Sequence, residues 1–197
     1  MNSLKDSKTK VNLMRAFAGE SQARNRYTFG ASQAKSNKLA LIEQAFTYTA
    51  NQEKEHAKVY YKHLKELSGG TIHIDGGYPV EVFDNIIDTL KAAQHDEYEE
   101  ADSIYTSFAD VAREEGFMAV ANSFDKIATI EKVHGNRFGY FADKLENNTL
   151  FKSEKEEQWI CLNCGYIYTG TEAPKACPAC QHPQGYFILY SNSPFNV

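Results

Sequence analysis

The sequence predicts an all-α four-helix bundle followed by a small C-terminal metal-binding domain. Apolar residues recur at spacings of three and four from about Lys10 to Phe151, the period of helices with one buried face. Clusters of Gly, Pro, Ser and Asn divide that run into four segments. All four cysteines fall between Cys161 and Cys180, after the composition has changed. At 197 residues, 42% hydrophobic and 24% charged, the chain is long enough for one ordinary globular domain plus something small. The expected domains are 1–151 and 152–197.

The first helix runs to about Lys35 and breaks at Ser36-Asn37. A second extends from about Leu39 to Leu67 and stops at Ser68-Gly69-Gly70. The third starts after Pro79 and ends near Arg113, and Glu114-Glu115-Gly116 leads into a fourth that finishes around Asn147-Asn148. The link from Ser68 to Pro79 has no helical period. Its ~12 residues can span roughly 40 Å, nearly the length of a helix of about 28 residues, so both a long crossover and a simple hairpin remain open. The tail of about 40 residues lies at the size where a metal is usually needed to hold a fold.

Net charge is −5, and neither Lys nor Arg forms a dense run, which argues against a nucleic-acid partner. Lys5, Lys8, Lys10 and Arg15 are followed by no apolar secretory segment, and no stretch reaches about 18 consecutive apolar residues, so the expected location is cytoplasmic, with no membrane anchor. Two Cys-x-x-Cys pairs close together leave no cysteine to staple the remainder, which favours metal over disulfides.

The apolar stripes carry misplaced polar residues. On the second helix Leu39, Ile42, Phe46 and Thr49 lead into Glu53 and His56, then Tyr60, Leu64 and Leu67. The fourth repeats the pattern, with Glu131 and His134 inside Phe117, Val120, Phe124, Ala128, Phe138, Phe141 and Leu145. The third reads Val82, Ile86, Leu90, Ala93, Glu97, Glu100, Ile104, Phe108 and Val111, and the first brings Glu20 after Leu13 and Phe17, with Tyr27 following. Residues three apart share a helix face, so all seven point into one core. Five carboxylates buried together are untenable unless a strong positive charge compensates them. One Glu from each of two helices with Glu-x-x-His from each of the other two is the donor set of a di-iron bundle, here with one extra Glu. Iron or manganese suits mixed carboxylate and imidazole better than zinc does. His63, His73, His95, His182, Asp96, Glu99, Glu114 and Glu115 lie off the stripes or in joints and read as surface groups.

In the tail, Cys161-Leu-Asn-Cys164-Gly165-Tyr166 and Cys177-Pro178-Ala179-Cys180 form a four-thiolate set in which Gly165 suits a tight turn beside a metal. Spacing alone fits zinc as well as iron. A one-electron iron centre next to a two-iron site makes chemical sense, with zinc as a possible substitute.

Together these motifs resemble the rubrerythrin family along almost the whole chain. The resemblance rests on Ala18-Gly19-Glu20-Ser21-Gln22-Ala23-Arg24-Asn25-Arg26-Tyr27, Gln52-Glu53-Lys54-Glu55-His56-Ala57, Glu97-x-x-Glu100, Ala112-Arg113-Glu114-Glu115-Gly116, Glu131-x-x-His134 and the cysteine pairs. It implies a ferritin-like di-iron bundle with a rubredoxin-like Fe(Cys)4 domain. It implies that Glu53 and Glu131 bridge two irons, that Glu97 and His134 complete one, and that Glu20 serves the other, which exchanges Glu100 for His56 on reduction. Tyr27 and Tyr105 are similar to the family's tyrosines that hydrogen-bond the ligand carboxylates, although Tyr105 lies off the ideal stripe. The implied activity is a peroxidase reducing hydrogen peroxide to water in oxidative-stress protection. Electrons would come through the Fe(Cys)4 centre from an external NAD(P)H-dependent reductase or rubredoxin, in a homodimer. One departure is Cys180-Gln181, where simple rubredoxins have Cys-Gly. From the residues themselves two other readings stay open: an iron-oxidising storage bundle, and a metal-stabilised scaffold with a zinc-ribbon interaction module.

Overall fold

The structure, a computed structural model, describes residues 3–193. A first pair of helices is α1 (Lys8–Ser36) and α2 (Ala40–His63), joined by a tight turn. Ser7 caps α1 by accepting from the Lys10 N–H, and Glu115, more than a hundred residues along the chain, accepts from the N–H groups of Lys8 and Thr9. The second pair is α3 (Ile86–Glu99), a π-helical turn (Glu100–Ile104) and α4 (Tyr105–Glu114), which together pack against α5 (Met118–Glu146). Gly116, at φ 83°, ends α4 in the left-handed conformation.

Between the pairs the chain runs extended along α1. Arg15 binds Asp75, Arg26 binds Glu81, and Gln33 donates to the Phe83 carbonyl. These anchors progress from one end of α1 to the other, so the link is a long crossover. It is longer than the sequence suggests. The third helix begins at Ile86, where the Asn85 side chain accepts from Ile87 N–H, and Val82, expected on its stripe, stands 91% exposed in the crossover. A chain that must traverse the bundle stays extended until a capping residue can start the helix.

The π turn is the second departure. Tyr105 N–H bonds to the Glu100 carbonyl, five residues back, which inserts one residue into the helical register. One residue rotates the following face by about 100°. Beyond Glu97 the buried line is therefore Ala101, Tyr105, Ala109 and Ala112, and not the expected Ile104, Phe108 and Val111.

Two apolar clusters fill the bundle. One gathers Leu13, Tyr60, Tyr105 and Phe124, the other Tyr27, Ile42, Phe46, Leu90 and Phe138. On α2 the Glu53–His56 pair falls between them. Among the described residues no helix is long and apolar enough to cross a membrane.

The tail is a three-stranded antiparallel sheet of β1 (Lys152–Cys161), β2 (Ile167–Glu172) and β3 (Phe187–Leu189), in the order β2-β1-β3. Trp159 and Phe187 are buried at its centre, with the Trp159 indole N–H donating to the Gly170 carbonyl. It packs on the α1–α2 turn so closely that a Cβ on Gly185 would lie 1.9 Å from the Lys38 carbonyl oxygen.

Candidate metal centres

Four helices place two quartets of donors side by side. Glu20, Glu53, His56 and Glu131 converge in one and Glu53, Glu97, Glu131 and His134 in the other, with the donor atoms of each quartet within 4.8 Å of one another. Glu53 and Glu131 belong to both. His56 Nδ1 lies 3.0 Å from Glu53 Oε2 and 2.9 Å from Glu131 Oε1. His134 Nδ1 lies 2.9 Å from Glu53 Oε1 and 2.8 Å from Glu131 Oε2. Each shared carboxylate thus offers one oxygen to each half. Glu20 Oε2 stands 3.8 Å from His56 Nδ1, and Glu97 Oε2 stands 3.6 Å from His134 Nδ1.

These separations are short, yet both Nδ1 atoms and both oxygens of Glu53 and Glu131 lack any hydrogen bond of acceptable direction. The atoms face common points, not each other. Buried polar atoms left that way are costly, and carboxylate and imidazole converging in two adjoining sets suit two cations of the iron type. The residues present fit a di-iron pair.

The surroundings fix the donors. Tyr27 donates to Glu97 Oε1 and Tyr105 to Glu20 Oε1, both at 2.6 Å. His134 Nε2 lies 3.1 Å from Gln52 Oε1, which keeps the proton on that nitrogen and leaves Nδ1 free to bind metal. Arg137 in turn donates to Gln52 Oε1 and Thr49 Oγ1. Gln52 sits inside a quoted motif, but the roles of Arg137 and Thr49 leave no mark in the sequence beyond helical spacing from His134 and Glu53.

With only side chains facing one another, burial, reinforced by the charge of Glu131, pushes Glu20 up to about 8. Burial and the charge of Glu53 likewise push Glu97 well up. Burial would raise Glu53 as well, but the imidazoles of His134 and His56 outweigh it and pull it down to about 2. Although burial lowers His134, Glu131 and Glu53 bring it up to about 12. The cluster therefore holds protons in place of cations.

Glu100 does not join either quartet. Its carboxylate turns toward Gly19 and Tyr78, with burial first and then Glu20 raising its pKa. The arrangement present is that with His56 in the set. Asp96, expected at the surface, is buried and paired with Arg26, because the crossover covers that side of α3. Glu115 caps α1, as described, and His63 is half-buried against Ser123. His73, His95, Glu99 and Glu114 are exposed.

In the tail the four sulfurs lie within 4.8 Å of one another, Cys161 to Cys180 at 3.8 Å and Cys164 to Cys177 at 3.7 Å. A disulfide needs roughly 2.05 Å, whereas thiolates about 2.3 Å from a tetrahedral metal stand roughly 3.8 Å apart. Gly165, at φ 77°, donates its N–H to the Cys161 carbonyl at 2.8 Å, and Gln181, at φ 61°, donates to that of Cys177 at 2.9 Å. The second turn thus keeps the geometry of the first without glycine. Cys180 is pulled down to about 6, first by the backbone N–H of His182.

Comparison with known proteins places both halves. Residues 11–142 match the family model for rubrerythrin, and residues 159–188 match the model for the rubrerythrin rubredoxin-like domain. The chain is 47% identical over 194 residues to rubrerythrin of Clostridium perfringens, covering 98% of this chain and 100% of that one. It is 43% identical over 189 residues to rubrerythrin of Nitratidesulfovibrio vulgaris, covering 96% and 97%. Among solved structures, mixed-valence nigerythrin superposes with a TM-score of 0.62 at 27% identity, covering 96% of this chain and 92% of that one. A bacterioferritin of Desulfovibrio desulfuricans, at 20% identity and a TM-score of 0.65 over 72% of this chain and 82% of that one, shares the bundle fold.

Proposed function

The chain belongs to the rubrerythrin family of iron-dependent oxidoreductases, and from that premise we propose that it is a peroxidase, converting hydrogen peroxide, two electrons and two protons into two waters. The observation that carries this reading is the pair of half-sites sharing Glu53 and Glu131, on the same chain as a four-thiolate centre suited to one-electron transfer. A ferrous pair, when bound, supplies the two electrons and two positively charged positions for the oxygens of a peroxide.

Glu53 and Glu131 would be shared by both metal positions. Glu97 and His134 would hold one position and Glu20 and His56 the other. Tyr27 and Tyr105 keep Glu97 and Glu20 aimed at their positions and hold protons on their own hydroxyls beside the site. Glu100, standing aside, would be the anionic donor at hand in place of His56 for a more positive metal pair.

Cys161, Cys164, Cys177 and Cys180 hold the relay iron, fed from an external NAD(P)H-dependent reductase or rubredoxin. The cysteine module packs at Lys38, in the turn before α2, and Glu53 lies thirteen residues after Ala40 along that helix. At 1.5 Å per residue those thirteen residues alone span roughly 20 Å. This separation within one subunit supports a homodimer in which each module serves the partner's bundle.

Stopped-flow spectroscopy on prereduced Cys161→Ser tests the assignment. The variant is expected to react with peroxide once at the wild-type rate and then to stop. Continued cycling with an external reductase would refute the relay, and no reaction of the prereduced wild-type protein with peroxide would refute the peroxidase.

A further inference from the structure

The crossover covers a cavity of about 290 Å³ whose lining includes Gly19, Tyr78, Glu100, Ile104, Tyr105 and Phe108. None of the six donors lines it, but two residues on its wall adjoin the centre described above. Tyr105, on its wall, is the residue whose hydroxyl donates to Glu20, and the Glu100 carboxylate lies against its floor. Glycine in mid-helix weakens α1, yet Gly19 is buried there. A Cβ at Gly19 would stand 3.8 Å from Tyr78 Cε1 and 4.0 Å from Glu100 Oε1, in the space between the two.

The Tyr78 ring is seated between two glycines. On its other side a Cβ at Gly76 would meet the hydroxyl at 3.2 Å and Cε2 at 3.2 Å, tighter than ordinary packing. The ring is 40% exposed, and its hydroxyl is held by one 3.2 Å hydrogen bond to the Arg15 carbonyl. A Cβ at Gly77 next to it would meet nothing within 4 Å, so no packed side chain holds that part of the crossover down. Arg15 and Arg26 line the cavity together with Glu99, Glu100 and Asp96, and both arginines are ion-paired, so neither sign of charge dominates and small neutral molecules are the natural visitors.

We propose that this cavity is the peroxide entrance and that Tyr78 is its lid and size filter. Hydrogen peroxide slips past the ring, whereas a hydroperoxide bearing a bulky organic group must first displace it from Arg15. The two glycines leave room for the ring and for the passage beneath it. This inference rests on the peroxidase reading for its substrate.

The test compares hydrogen peroxide with cumene hydroperoxide in the full-length iron-loaded protein. Tyr78→Ala is expected to raise the ratio of kcat/KM for cumene hydroperoxide to that for hydrogen peroxide by about tenfold, the size of effect a pocket contact has on discrimination. A general loss of stability lowers both rates and leaves the ratio unmoved, so an unchanged ratio overturns the proposal. A second arm follows binding of nitric oxide, small and neutral, to the reduced protein by visible absorbance. Gly19→Val, which narrows the cavity, should slow its association, whereas Tyr78→Ala should leave it unchanged, because so small a molecule passes the ring in either protein. An association rate in Gly19→Val equal to that of wild type also overturns the entrance. Should Gly19→Val fail to fold, the Tyr78→Ala comparisons decide. If the wild-type protein reduced neither peroxide, the peroxidase reading would fall, and the nitric oxide arm would still judge the path.

Discussion

At the scale of single residues, Asp96 shows how an acid can be buried without serving the metal site. It neighbours Glu97 but points about 100° around the helix from it, toward Arg26, whose guanidinium also holds Glu81 of the crossover. Removing one partner of a buried pair strands the other, at a cost of about 3 kcal/mol. Asp96→Ala should therefore lower the melting temperature by roughly 6–12 °C, given ~2–4 °C per kcal/mol at this size. A melt within a degree or so of wild type would show that Glu81 alone satisfies Arg26. The helical period could not reveal this burial, because the cover comes from a segment outside the helix.

At the scale of the element, the π turn decides which residues of the third helix face the centre. Glu97 precedes it and follows the simple period, while Tyr105 follows it and does not. Deleting the exposed Asp102 should remove the turn yet keep Tyr105, Ala109 and Ala112 on the buried face, because each moves back one place onto the line that an uninterrupted α-helix buries. Glu20 then keeps its hydrogen-bond donor. The expected result is a protein with iron content per chain close to that of wild type. A deletion variant depleted of iron would mean that the turn itself, and not the register it sets, positions the site.

At the scale of the whole molecule, the bundle folds around charges that it cannot hold without cations. Glu20 has a folded pKa of about 8, above its ordinary 4.5, so the metal-free fold binds a proton that the unfolded chain releases. That contribution is complete below about pH 4.5 and is lost as pH rises through about 8. Glu97, raised in the same direction, erodes with it, and the raised His134 adds a loss of the same sign above pH 6.5. The metal-free protein should thus become less stable between pH 5 and 8. The iron-loaded protein should not, since metal binding displaces those protons and strengthens as they leave. Melting curves of both forms at the two pH values measure this, and parallel behaviour would argue against a shared buried site.

Much of this architecture follows from sequence alone, because a helix repeats its facing every 3.6 residues and a polar residue inside an apolar stripe is conspicuous. Glu20, Glu53, His56, Glu97, Glu131 and His134 were legible on that ground, and the cysteine pairs from their spacing. Other features depend on contacts between distant segments, which no local period encodes. The crossover's path buried Asp96 and placed Tyr78 over the cavity. The π turn brought Tyr105 to Glu20, and only the packed bundle set Glu100 apart from the donors that its spacing had grouped it with. Periodicity fixes which way a side chain faces on its own helix. What meets it there is decided when the other elements close around it.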